Sequence, residues 1–155
     1  MILIAIDPGT ESSGVVIYDG KKVIASYKDF ENNDLVEQLR TDSWACKHLA
    51  IEMVASYGMA VGKTTFETVY WIGRFVQAFG VHDSTRIYRK DVKMFLCNSM
   101  KAKDANVRQA ILDRFEPSGG GKTPQVGTKK EPGPLFGVSS HAWSALAIAL
   151  TYFGD

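Results

Sequence analysis

MILIAIDPGTESSGVVIYDG, residues 1–20, opens the chain with an apolar run that ends on a carboxylate. The β-branched run ILIAID (2–7) predicts a buried strand. SGVVIYD (13–19) predicts a second strand, the Asp-Gly pair of DGKK (19–22) a hairpin turn, and VIASYKD (23–29) a third strand. The opening therefore reads as an antiparallel meander. Asp7 stands at the end of its first strand, where a charge is costly unless something pairs with it.

Beyond the meander, NNDLVEQLRTDSWA (32–45) has helical spacing at Leu35, Val36 and Leu39 and an Asn or Asp placed as its cap. HLAIEM (48–53) reads as a fourth, buried strand that carries Glu52 near its end. TTFETVYWIGRFVQAFG (64–80) predicts a helix with two apolar stripes, one of Phe66, Val69, Tyr70 and Val76, the other of Ile72, Phe75 and Phe79. A surface helix needs one stripe; the second fits either a partner subunit or a helix buried within one chain. STRIYRK (84–90) holds a short fifth strand, followed by a short helix through Leu96, and KDANVRQAILDRF (103–115) an amphipathic helix. PSGGGKTPQVGTKKEPGPLFG (117–137) is Gly-, Pro- and Lys-rich without periodicity, and a loop of that length is usually functional or disordered. SSHAWSALAIALTYF (139–153) closes the chain as a helix, with serines placed to cap its start. This order predicts a mixed five-stranded α/β sheet with helices on its faces. It forms one domain over 1–155, with no internal repeat.

A length of 155 residues suits one domain with a real core, and 45% hydrophobic with 23% charged residues is ordinary for a globular protein. No apolar run approaches a transmembrane length, and the start lacks the pattern of a signal peptide. Cys46 and Cys97, the two cysteines, form no C-x-x-C pair and read as reduced thiols of a cytoplasmic protein. The net charge of +1 hides an asymmetry: Arg86 to Lys130 holds eleven Lys/Arg against four acids, a local +7, and the remainder carries −6. Such a basic half suits a polyanion such as nucleic acid; the alternative is a solvated surface of uneven charge.

Asp7 and Glu52 are acids in otherwise apolar strands. If those strands lie side by side, the carboxylates meet and repel unless a proton or a cation sits between them. Hard divalent cations suit carboxylate oxygens. Strand-end acids with local hydrogen bonds are the alternative. GMAVGKTT (58–65) resembles a P-loop, but Gly58 and Gly62 are one residue too close for G-x-x-x-x-G-K-[ST]; Lys63 or nearby amides there suit a DNA phosphate instead.

IAIDPGTESSGVVIYDG followed by HLAIEMV and ending in HAWSALAIALTY resembles the RuvC-type Holliday junction resolvases, and more closely the phage-encoded crossover junction endodeoxyribonucleases. The resemblance spans Ile2 to Tyr152. It implies an RNase H-like fold, a homodimer and a Mg²⁺- or Mn²⁺-dependent endonuclease with two ions per site. Such an enzyme nicks two opposing strands of a four-way DNA junction and leaves 5′-phosphates. Carried over by position, Asp7 matches the first catalytic acid and Glu52 the second. The last helix ordinarily offers acids one turn apart; here His141 and Ser144 stand there. Asp104 is a possible replacement acid, its alternative role being an N-cap. Lys93, Lys101 and Lys103 fall where the family places lysines near the scissile phosphate. Arg89, Lys90, Arg108 and the loop lysines Lys122, Lys129 and Lys130 are further candidates for DNA contact, since junction recognition reads shape and backbone. Phe136 suits either stacking on an unpaired base or anchoring the loop in the core. Two rival activities stay open: a broader nuclease of flaps, forks and Y-structures, and a non-catalytic junction-binding protein, given Ser144.

Overall fold

The structure is a computed structural model that describes residues 1–154. Its strands are β1 (Leu3–Asp7), β2 (Ser12–Tyr18), β3 (Val23–Glu31), β4 (His48–Met53) and β5 (Ser84–Tyr88). Its helices are α1 (Asn32–Thr41), α2 (Lys63–Phe79), α3 (Arg89–Cys97), α4 (Asp104–Leu112) and α5 (His141–Phe153). The strands form one sheet in the order β3-β2-β1-β4-β5. β1 to β3 pair antiparallel; β1, β4 and β5 run parallel. The expected five-stranded mixed sheet is present, and it is covered on both faces.

The two-residue period of the strands builds the two layers. Leu3, Ala5, Val16 and Ala50 face α3, α4 and α5, whereas Ile4, Ile6, Val15, Leu49 and Ile51 face α1 and α2. α5 meets the sheet with Ala142, Ala145 and Ala149, all fully buried, and such small side chains let a helix lie close.

Several expectations need correction. α1 ends at Thr41, short of residue 45, because Asp42 turns into the left-handed region at φ 52°. Its cap is Glu31, whose carboxylate accepts from the Asn33 and Asp34 N–H groups. Asn32 is instead buried inside the first turn, its amide spent on a loop described below. The serines before α5 do not cap it: Ser140 is the N-cap residue at φ 49°, with no side-chain bond to the helix. Of the two stripes on α2, Ile72, Phe75 and Phe79 turn inward with Trp71. Phe66, Val69 and Tyr70 stay exposed, and Val76 packs on the core side.

The 117–137 segment is ordered by its own backbone. Gly119, Gly120, Gly133 and Leu135 N–H groups donate to the carbonyls of Pro124, Glu131, Val126 and Gln125 at 2.8–2.9 Å. Gly133 is required there: a Cβ would lie 2.3 Å from the Pro124 carbonyl oxygen. Leu135 and Val138 anchor the segment in the core beside α5. Phe136, 49% exposed, is not an anchor.

Candidate active site

The parallel register pairs Ile6 with Ile51, so the next residues, Asp7 and Glu52, end adjacent strands on the same edge of the sheet. The edge is the carboxyl end of β1, β4 and β5, where open α/β sheets bind ligands. The two carboxyl groups lie close enough to act on each other: the charge of Asp7 raises Glu52, and contact with Glu52 lowers Asp7. Burial, then the charge of Asp7, pushes Glu52 up to about 7. Burial likewise raises Asp7 above the usual carboxylate range, against the lowering effect of the His141 ring.

His141 arrives from the other end of the chain. As the first residue of α5, it places Nδ1 3.3 Å from Asp7 Oδ2. Gly14, the β2 partner of Asp7, makes this approach possible. A Cβ on Gly14 would meet the His141 carbonyl oxygen at 2.3 Å and its Cβ at 2.9 Å. The turn after Asp7 is tied down by a buried network: Ser13 Oγ donates to Asn32 Oδ1 at 2.7 Å, and Asn32 Nδ2 to the Gly9 carbonyl at 3.0 Å. The Gly9 N–H returns a bond to Ser13 Oγ at 3.2 Å.

The three residues meet as two pairs that share Asp7. Among the described residues, no three His, Cys, Asp or Glu side chains already form a metal cage. The donor chemistry nevertheless fits a hard divalent ion that keeps several waters. Two desolvated carboxyl groups whose pKa values are both raised, with one imidazole beside them, are a donor set of that kind.

Two hollows flank His141. One, of about 340 Å³, is lined by Asp7, the 8–12 turn and His141. The other, of about 450 Å³, is lined by Arg89, Asp104, Arg108, His141, Trp143 and Ser144. A larger groove of about 710 Å³ between α1 and α2, beside Arg40, Tyr70 and Arg74, contains none of the acids.

Ser144 thus lines the cleft one turn beyond His141 but makes no bond to either acid among the described residues. Asp104 is not the N-cap of α4, which is Lys103; it forms an ion pair with Arg89, and its charge raises Glu52. Lys93 is half-buried on α3, and Lys63, Lys90, Lys101 and Lys103 are exposed. Lys122, Lys129 and Lys130 are exposed on the ordered loop. Arg108 lies over the Trp143 ring at 4.7 Å. Arg89, a candidate DNA contact by sequence, also acts on both Asp7 and Glu52 through its charge. The signal available was its place directly after β5. Ser13, Asn32, Gly14 and Trp143 were missed.

No protein-family profile and no curated protein sequence matches the chain. Solved structures do match. Thermus thermophilus RuvC superposes with a TM-score of 0.67 at 18% identity, over 99% of this chain and 94% of that one. T. thermophilus RuvC in complex with a Holliday junction substrate gives 0.66 at 18% identity, over 97% and 92%. The chain has the RuvC fold. At this identity the likeness is one of fold, and the 117–137 segment is part of a chain that matches almost end to end. No helix among the described residues is long and apolar enough to cross a membrane.

Proposed function

We propose that this chain is a metal-dependent, structure-specific DNA endonuclease that resolves four-way junctions by paired nicks and leaves 5′-phosphates. The observation that carries the reading is the Asp7–Glu52 carboxyl pair, with His141 against Asp7, at the carboxyl edge of a RuvC-fold sheet. The solved RuvC complex with a Holliday junction substrate supports branched DNA as the partner.

Asp7, Glu52 and His141 would hold Mg²⁺ or Mn²⁺, two ions per site. Imidazole in the set favours Mn²⁺ more than an all-carboxylate site does. Bound there, such ions supply the charge that activates water for in-line attack on phosphorus and stabilises the departing 3′-oxygen. The remaining work belongs to the chain. The Ser13–Asn32–Gly9 network keeps Asp7 aimed, and the close approach at Gly14 seats His141. Lys93 and Lys103 offset phosphate charge. Lys63, Lys90, Lys101, Arg108 and the loop lysines hold the DNA backbone.

Two strands must be nicked, so two sites are needed. The exposed face of α2 supports a homodimer: Phe66 is 64% exposed and Tyr70 58%. Beside them, a Cβ on Gly73 would meet nothing within 4 Å, which leaves room for a second copy to approach.

The test is cleavage of a synthetic four-way junction, a flap, a fork and a Y-structure across a Mg²⁺ and Mn²⁺ titration. Paired nicks in the junction alone support the reading. Cutting of every branched form replaces it with a debranching nuclease, and binding without cutting with a junction-binding protein. Asp7→Asn abolishes cutting and leaves binding; an Asp7→Asn variant that cuts normally refutes the site.

A further inference from the structure

Arg89 begins α3 directly after β5, whose register pairs Ile87 with Glu52 and Tyr88 with Met53. It therefore emerges on the edge that carries the acids. Its side chain is largely covered, 28% exposed, while that of its ion-pair partner Asp104 is 93% exposed. Asp104 is the first residue of α4, so the pair bridges the starts of two helices. Both residues line the 450 Å³ cleft that His141 closes on its other side.

Two features say this pair is more than a surface ion pair, which contributes little to stability. First, the Asp104 bond uses the Nη2 arm of Arg89, and among the described residues Arg89 donates to nothing else. A guanidinium offers five N–H groups in a rigid fork that matches phosphate. No buried side-chain nitrogen or oxygen among the described residues lacks a partner, so the remaining N–H groups of Arg89, a residue that lines the cleft, are accessible to solvent. Second, its positive charge reaches both Asp7 and Glu52. A cation beside two carboxylates that are themselves meant to gather divalent ions works against them unless it is held off. Asp104 pairs with it and acts on Glu52 in the opposite sense, so the two charges offset each other there.

We propose that Arg89 grips the scissile or adjoining phosphate in this cleft, and that Asp104 is its positioning residue, turning the guanidinium from the carboxylate pair toward DNA. The inference rests on the nuclease reading above. It replaces the metal-ligand and N-cap roles considered for Asp104 with a third.

The experiment uses the full chain and a synthetic four-way junction, with single-turnover cleavage at saturating enzyme and binding measured separately in EDTA over a salt series. Arg89→Ala slows cleavage about 10²-fold, the usual loss for one preorganised donor. It also lowers the slope of log affinity against log salt by about 0.9, one phosphate. Arg89→Lys keeps charge and fold but not the fork, and stays slow. Asp104→Ala removes an acid facing DNA, so affinity holds or rises while cleavage slows about 10-fold, because a misplaced group loses rate. Asp104→Glu restores part of that rate. The double variant is no slower than Arg89→Ala alone.

Wild-type rate in Asp104→Ala overturns the proposal. So do multiplicative losses in the double variant, or a Mn²⁺ midpoint that Asp104→Ala shifts as much in the Arg89→Ala background as in the wild type, which make Asp104 a ligand in its own right. An unchanged salt slope in Arg89→Ala also overturns it. A wild-type chain that binds the junction but cuts nothing defeats the nuclease reading, and the slope alone then decides for or against Arg89.

Discussion

Glu52→Gln is the perturbation that isolates the carboxyl pair. Burial and the neighbouring Asp7 charge move Glu52 from the ordinary 4.5 to about 7. Its folded value lies above its unfolded one, so the native state holds the extra proton between those limits. The stability this proton confers is complete below about 4.5 and is lost as pH rises through about 7. A displacement of that size corresponds to about 3 kcal/mol. In a domain of this length 1 kcal/mol moves Tm by about 2–4 °C, so the whole effect is about 6–12 °C. Glutamine keeps the shape and never ionises. Calorimetric melts in EDTA should give the variant and the wild type nearly equal Tm at pH 5, with the variant ahead by most of that amount at pH 8.5. Adding Mg²⁺ or Mn²⁺ at pH 8.5 should raise the wild type toward the variant, since a cation does for two carboxylates what the proton did. A Tm offset that is the same at both pH values refutes the reasoning, because it would mean that Glu52 ionises without opposition from burial or from Asp7.

Gly14→Ala drives a methyl group into the His141 backbone, where no flexible side chain can yield; we expect a loss of about 1–3 kcal/mol in denaturant melts, typical of overpacking, together with slowed cleavage. Normal stability and rate would show that α5 does not need that close approach. Tyr70→Asp places a charge on the exposed α2 face proposed to pair two copies; light scattering should report dimer for the wild type and monomer for the variant, and a wild-type monomer or a variant that stays dimeric would refute that face as the seam. The monomeric variant should bind one junction and nick one strand at a time. Leu146→Ala, in the fully buried heart of α5, should cost about 2–5 kcal/mol by cavity formation.

The strands were legible because their apolar residues alternate or run unbroken between turn residues, and the Asp7–Glu52 pair followed once β1 and β4 were taken as neighbours. His141 came through family resemblance, not periodicity. What stayed hidden depends on side chains meeting across elements. Asn32 looked like a cap, but its amide is consumed by Gly9 and Ser13, so Glu31 takes over the helix start. Asp104 looked like a cap or a ligand because nothing in its own helix shows Arg89, fifteen residues earlier in another helix. The 117–137 segment has a length and composition that fit either a functional or a disordered loop, and in the structure its glycines are used for close backbone packing and Leu135 for an anchor.

The central claim is that the first and fourth strands bring two carboxylates together to hold a divalent ion. A crystal grown with Mn²⁺, with anomalous data collected at the manganese edge, tests it most directly. The account predicts density coordinated by both Asp7 and Glu52, with His141 adjoining, and none in Glu52→Gln. Manganese bound away from Asp7 and Glu52 in crystals of a protein that still cuts DNA would contradict it.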